Sequence, residues 1–187
     1  MKWLIASDIH GDSACCEKLL AAFEREKCER LLLLGDLLYH GPRNDLPGGY
    51  APKSVIEQLN SLAEKITCVR GNCDTEVDQQ VLEFPIMAEY VWLESGDRMI
   101  FATHGHHYGP DRPPLNLGKG DILLCGHTHI PACEKRGGYV YCNPGSVSIP
   151  KGGSARGYMV SENGVFTWKR LDGEIFMRFG TEGERNV

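Results

Sequence analysis

An α/β sandwich with two sheets and helices outside is the fold class that this sequence predicts, and three observations predict it. Apolar segments of strand and helix length alternate from Lys2 to Arg70, an order that implies a parallel sheet with crossover helices. Three turn signals, Ser95-Gly96-Asp97, Gly137-Gly138 and Asn163-Gly164, punctuate the second half, which therefore reads as mainly β. The 187 residues, 42% hydrophobic and 24% charged, suit one ordinary globular domain over residues 1–187.

Taken in order, Lys2 to Ser7 is a short buried strand. Ser13 to Lys27 is a helix with Asp12 or Ser13 available as N-cap. Its Cys16, Leu19, Leu20 and Phe23 share one face, while Glu17, Lys18, Glu24 and Arg25 fall elsewhere. Arg30 to Leu34 is a second strand, ending in Gly35-Asp36. Tyr39 to Pro52 carries three prolines and three glycines and is a surface loop. Lys53 to Glu64 is a second amphipathic helix, with Val55, Ile56, Leu59 and Leu62 inward. Lys65 to Arg70 is a third strand, running into Gly71-Asn72-Cys73-Asp74. Met87 to Leu93 and Arg98 to Thr103 form a hairpin, and Asp121 to Cys125 is a further strand. Arg156 to Ser161 and Val165 to Leu171 complete the β ending. There is no internal repeat, and the polar tail after Gly180 is expected to fray.

Composition narrows the function. Twenty Lys and Arg against 25 Asp and Glu leave a formal charge of −5, which argues against a surface that tracks a long nucleic acid. The longest apolar runs, such as Leu31 to Leu34 and Ile122 to Cys125, are too short to span a bilayer. The N-terminal apolar stretch breaks at Asp8 before a signal-peptide core forms, so a cytoplasmic location is expected. Eight cysteines without any C-x-x-C, most of them within apolar stretches, read as reduced and buried thiols.

Polar residues recur just past the ends of the expected strands. Asp8-Ile9-His10 follows the first, Gly35-Asp36 the second and Asn72 the third. His104 follows Arg98 to Thr103, and His127-Thr128-His129 follows Asp121 to Cys125. Ligands of open α/β sheets bind beyond the carboxyl ends of the strands, so these distant segments can converge. Carboxylate, amide and imidazole without thiolate suit manganese, iron or zinc in a hydrolytic site. In extended chain, residues two apart point to the same side, so Asp8-x-His10 and His127-x-His129 can each offer two ligands. Seven candidates exceed one metal and divide into two sites if a carboxylate bridges; Asp36 is central among them. Two metals about 3.5–4 Å apart can clamp the oxygens of an in-line displacement at phosphorus. Each piece alone has a plainer explanation: a helix cap for Asp-x-His, turn chemistry for Gly35-Asp36, a solvated loop for His104-Gly105-His106-His107. Their order and placement together favour the metal site.

The series Asp8-x-His10, Gly35-Asp36, Gly71-Asn72-x-Asp74, His104 and Gly126-His127-x-His129 resembles the motif set of the calcineurin-like metallophosphoesterases. The short chain, with no cap insertion and with the Gly71-Asn72-Cys73-Asp74 variant, resembles the small bacterial phosphodiesterases of the YfcE type, and the likeness runs from Lys2 to about Leu171, including Asn143-Pro144-Gly145-Ser146. That resemblance implies a four-layer α/β/β/α sandwich and two divalent ions, manganese first, with zinc, iron or nickel as alternatives. It implies Asp8, His10, Asp36 and His129 around one ion, and Asp36, Asn72, His104 and His127 around the other. The implied activity is hydrolysis of a small phosphodiester by a hydroxide bridging the metals, with Asp36 and Asn72 among the catalytic residues and homo-oligomerisation as a family trait. The alternative that the same fold offers is a scaffold protein like the retromer subunit; a nuclease ranks last for want of a basic stripe.

Most relatives in this superfamily carry His where this chain has Cys73, and a thiol with an ordinary pKa near ~8.5 replaces an imidazolium poorly. Loss of a general acid costs on the order of 10²–10⁴-fold in rate, most for poor leaving groups, so activated leaving groups are expected to be preferred. His106 stands either as proton donor or as a residue orienting a ligand, and Asp74 is expected to orient one. Arg43, Asn44 and Cys73, with Tyr39 and His40, are the expected substrate wall.

Overall fold

The computed structural model describes residues 1–180; the expected frayed tail lies outside them. The chain runs β1 (Trp3–Ala6), α1 (Ser13–Arg25), β2 (Arg30–Leu33), α2 (Pro52–Asn60), a 3₁₀ turn (Ala63–Lys65), β3 (Ile66–Cys68) and α3 (Glu76–Gln79). It continues as β4 (Tyr90–Ser95), β5 (Arg98–Thr103), β6 (Ile122–Leu124), β7 (Ala132–Arg136), β8 (Tyr139–Asn143), β9 (Gly157–Glu162), β10 (Val165–Arg170) and β11 (Ile175–Phe179).

Two mixed sheets result, ordered β11-β10-β9-β1-β2-β3 and β4-β5-β6-β8-β7. In the first, β1, β2 and β3 are parallel, with Ile5 opposite Leu32 and Leu33 opposite Cys68, and β9 joins β1 antiparallel. In the second, β5, β6 and β8 are parallel, and β4 and β7 close its edges antiparallel.

The strand period of two sorts the core into layers. Leu4, Ala6, Leu31 and Leu33 face α1 and α2, against Cys16, Leu19, Phe23, Val55 and Leu59. Trp3, Ile5, Leu32 and Leu34 face the other way, against Ile100, Ala102, Ile122, Leu124, Val140 and Cys142 of the second sheet. Trp168 seals that inter-sheet core with its indole N–H donating to the Asn143 carbonyl at 2.6 Å. The far face of the second sheet (Phe101, Leu123, Tyr141) is covered by Tyr108 and Leu117, which lie on irregular chain. The cysteines are mostly buried, as their apolar settings imply.

Local departures from the expected boundaries have local causes. Asp12 caps α1, its carboxylate accepting the Cys15 N–H at 2.9 Å. Helix α2 starts on Pro52 at its first position and stops at Asn60, the chain tightening into the 3₁₀ turn where the sequence predicts helix to Glu64. Strand β4 begins at Tyr90 rather than Met87, because the Ile86 N–H is taken by the Gln79 side chain and the Ala88 carbonyl by Arg70. Strand β11 and the short α3, closed by a Thr75–Asp78 capping box, are additions to the expected list. No helix among the described residues is long and apolar enough to cross a membrane.

Candidate metal centre

Five loops at the carboxyl ends of β1, β2, β3, β5 and β6 meet in the cleft between the sheets. The first two continue side by side past their strands: the Asp8 N–H donates to Gly35 O at 3.1 Å and the His10 N–H to Asp36 O at 2.9 Å. The Ser146 and Ser148 hydroxyls both donate to the Asp8 carbonyl, at 2.8 and 3.0 Å. The Asn143 amide donates to Gly126 O at 2.7 Å, so the Asn143-Pro144-Gly145-Ser146 segment holds two of the site loops in place.

The backbone here is unusual. Asp8, His10, Asp36, His127 and His129 all have positive φ, between 50° and 66°, a region that L residues enter at a cost of roughly 1–3 kcal/mol each. Only Lys27 and Asn163 share it among the other described non-glycine residues. Strain is thus concentrated on the candidate ligands. Space is equally tight: a Cβ on Gly71 would collide with the Asp36 carboxylate and backbone nitrogen, so the loops after β2 and β3 approach this closely only because residue 71 is glycine.

Three imidazoles have their orientation fixed by a backbone carbonyl. His10 Nδ1 donates to Tyr39 O at 2.7 Å, His129 Nδ1 to Ile149 O at 2.6 Å, and His104 Nδ1 to Leu34 O at 2.6 Å. Their Nε2 atoms therefore face the interior and present lone pairs to it whenever the rings are neutral, as they would be with a cation bound. His10 Nε2 and His129 Nε2 lie 3.2 Å apart, and Asp8 Oδ1 is 3.6 Å from the first and 3.3 Å from the second. On the other side, His104 Nε2 lies 3.1 Å from Asn72 Oδ1 and 3.2 Å from His127 Nδ1. Asp36 joins the groups. Its Oδ1 accepts the Cys73 N–H at 2.8 Å, while Oδ2 is 3.8 Å from His10 Nε2 and 3.5 Å from His104 Nε2. Asp8, His10, Asp36, His104 and His129 are all at most 3% exposed.

Acceptors crowded against acceptors, with Asp8 Oδ1 buried and without a hydrogen-bond donor, fit divalent cations bound by oxygen and nitrogen. Two groups of potential ligands, Asp8-His10-His129 and Asp8-Asp36-His104, each bring their atoms within 4.8 Å. Electrostatics agree. Burial opposes the charge on Asp8 and Asp36, but the imidazoles hold both carboxyls below their usual range. Burial also opposes charging His104, yet Asp36 and Asp8 raise it to about 9; an acidic pocket of this kind attracts positive charge.

The neighbouring residues fall into place around this cluster. Asp74 accepts three backbone N–H groups, from Asp36 at 2.9 Å, Leu37 at 2.9 Å and Gly71 at 2.7 Å, and so sets the turn that presents Asp36. Burial, then Asp36, pushes the Cys73 thiol up to about 12, so it stays protonated. His106 packs behind the cluster, its ring 5.4 Å from that of His104, and burial with the charges of His104, His107 and His127 lowers it to about 4. Glu89, His106 and His107 form a further group, but a Glu89–His107 ion pair at 2.6 Å already engages two of its members.

A cleft of about 40 Å³ opens on the cluster, lined by Asp36, Asn72, His127 and His129 and walled by Arg43, Asn44 and Cys73. Lys151 completes that wall. Sequence reading passed over it, and the signal available was its place in the Pro150-Lys151-Gly152-Gly153 turn soon after Asn143-Pro144-Gly145-Ser146. Tyr39 and His40 are not part of the lining; Tyr39 contributes through its carbonyl instead. A larger cleft beside Lys2, Glu26 and Lys169 holds none of the candidate ligands, and its Glu26–Lys169 pair is closed at 2.6 Å.

Known proteins match this arrangement. The profile of the calcineurin-like phosphoesterase superfamily domain matches residues 1–163. The phosphodiesterase YfcE of Escherichia coli is 48% identical over 167 residues, covering 89% of this chain and 90% of that protein. The solved structure of that E. coli phosphoesterase superposes with a TM-score of 0.92 at 47% identity, covering 96% of this chain and 98% of its own. Vacuolar protein sorting 29 of Cryptosporidium parvum superposes with a TM-score of 0.61 at 18% identity, over 96% and 98% of the two chains, a likeness of fold alone. With this fold and this profile match, the chain belongs to the calcineurin-like phosphoesterase superfamily.

Proposed function

We propose that this protein hydrolyses small phosphodiesters with two divalent metal ions, manganese foremost. The observation that carries the reading is the placement of Asp36 Oδ2 between two inward imidazole nitrogens, His10 Nε2 at 3.8 Å and His104 Nε2 at 3.5 Å. Asp8, His10, Asp36 and His129 would hold one ion, and Asp36, Asn72, His104 and His127 the other. Bound there, the ions would supply Lewis acidity to the phosphoryl oxygens and lower the pKa of water toward neutrality.

The chain's own residues do the rest. The Tyr39, Ile149 and Leu34 carbonyls keep the three imidazoles in the tautomer that offers Nε2. The Cys73 N–H holds Asp36 Oδ1, leaving Oδ2 to both sides. The Cys73 thiol, kept protonated, is neither a nucleophile nor a strong acid. His106, lowered to about 4, is neutral at physiological pH and serves better in positioning His104 than in protonating a leaving group. With no imidazolium at the cleft for that task, leaving groups that depart as stable anions are favoured. The small cleft favours a small diester over a polymer.

The test is turnover of bis(p-nitrophenyl) phosphate by metal-stripped protein with and without manganese, beside Asp36→Ala. Manganese-dependent turnover that vanishes in the variant supports the reading. No turnover by protein that holds its metals refutes it.

A further inference from the structure

The cleft carries two cations that hydrolysis of a simple diester does not need. Arg43 reaches it from the loop between β2 and α2, and Lys151 from the loop between β8 and β9. Both backbones are tied down. The Asn44 side chain donates to His40 O at 2.8 Å and closes the turn that bears Arg43. The Lys151 N–H donates to the carbonyl of His129, a candidate ligand, at 3.1 Å, and the Ser154 hydroxyl donates to Lys151 O at 2.6 Å. The charged ends are nonetheless unengaged: neither makes an ion pair or side-chain hydrogen bond with the described residues. Other cations of the chain are held by carboxylates, as in Lys169 on Glu26 and Arg136 on Glu134, and what sets Arg43 and Lys151 apart is that they line the cleft over the candidate ligands. The carboxylate that shares their cleft, Asp36, is turned toward His104 and the Cys73 N–H.

Charge balance gives these two side chains a purpose. Divalent ions at Asp8 and Asp36 would leave the centre net positive before substrate enters, and a phosphodiester brings a single negative charge. Two further cations exceed what charge balance with such a substrate requires. They suit one that brings more negative charge, and a guanidinium fork and an ammonium lining one cleft match a terminal phosphate, with its several acceptor oxygens.

Resting on the phosphodiesterase reading, we propose that Arg43 and Lys151 select phosphodiesters that carry a second, terminal phosphate. The test compares thymidine 5′-(p-nitrophenyl phosphate) with its 3′-phosphorylated counterpart, which share a leaving group and differ in one phosphate. Manganese-loaded native protein is expected to favour the 3′-phosphorylated compound about tenfold in kcat/KM, the size expected of two solvent-exposed charge contacts. The gain should sit in KM and shrink with added salt. It should fall toward unity in Arg43→Met and Lys151→Met and return in part in Lys151→Arg. Calorimetric affinity for thymidine 3′,5′-bisphosphate over the 5′-monophosphate should follow the same order. Equal turnover of the two compounds, or a preference that survives both Met variants, overturns the proposal. If native protein turns over neither compound, the phosphodiesterase reading fails instead, and the calorimetric preference then decides the role of the two cations.

Discussion

Replacing Asp74 by Asn tests how Asp36 is held. The side chain is 1% exposed and keeps its shape in the variant. Its Oδ2 accepts the Asp36 and Gly71 N–H groups, and Oδ1 the Leu37 N–H. The best amide orientation leaves the oxygen on Asp36 and Gly71 and turns the NH₂ against Leu37, donor against donor. Hydrogen bonds to a charged acceptor contribute roughly 1.5–3 kcal/mol and neutral ones about 0.5–1.5, and an unsatisfied buried donor costs about 1–3. Two weakened bonds and one orphaned N–H therefore cost on the order of 3–5 kcal/mol, a large part of a typical total of about 5–15. Urea unfolding of metal-free protein measures it, and manganese calorimetry on the folded variant should show weakened binding. A loss below about 1 kcal/mol with unchanged manganese affinity would refute the account of Asp74 as the residue that places Asp36.

Three further predictions concern other parts of the molecule. Gly71→Ala drives a methyl group into the Asp36 carboxylate; binding of the two ions should fall at least about tenfold, measured by calorimetry, with far-ultraviolet circular dichroism little changed. Cys73→His restores an imidazole at the cleft wall and should raise turnover of esters with poor leaving groups by about 10²-fold, while the activated p-nitrophenyl diester gains far less; equal gains for both would count against a missing acid. Glu26 is partly buried, which opposes its charge, but hydrogen bonds from Lys169 at 2.6 Å and Tyr158 at 2.9 Å hold its carboxyl below the usual range. Its stabilisation is therefore complete above the unfolded carboxyl value of about 4.3 and is lost as pH falls through the lower folded value. Glu26→Gln should cost about 1–2 kcal/mol at pH 7 by urea unfolding, and the gap to native protein should close as pH falls below the ordinary carboxyl range.

Much of this was legible in the chain. The parallel half announces itself because both faces of β1 and β2 are buried, which leaves runs such as Leu31-Leu32-Leu33-Leu34 without polar alternation. The candidate ligands were legible because each closes a strand, and sheet order brings strand ends together. Other features depend on tertiary contact and leave weak local traces. The carbonyls of Tyr39, Leu34 and Ile149 that fix the imidazoles are backbone atoms, which any residue could supply. Positive φ at Asp8 or His129 contradicts local preference and is imposed by the surrounding bonds, among them Ser146 and Ser148 on the Asp8 carbonyl. Lys151 is an ordinary loop lysine until its turn is bonded to His129. Strand β11 did carry a signal, Asp172-Gly173 before the alternating Ile175–Phe179, but its half-exposed side chains make it an edge strand of low hydrophobic contrast.

The number of manganese ions bound per chain tests the central claim most directly. Calorimetric titration of metal-stripped native protein should give two, with His129→Ala and His104→Ala each retaining one, from opposite sides of Asp36. A single ion in the native protein, or loss of both in each single variant while the fold persists, would contradict a centre of two sites joined by Asp36.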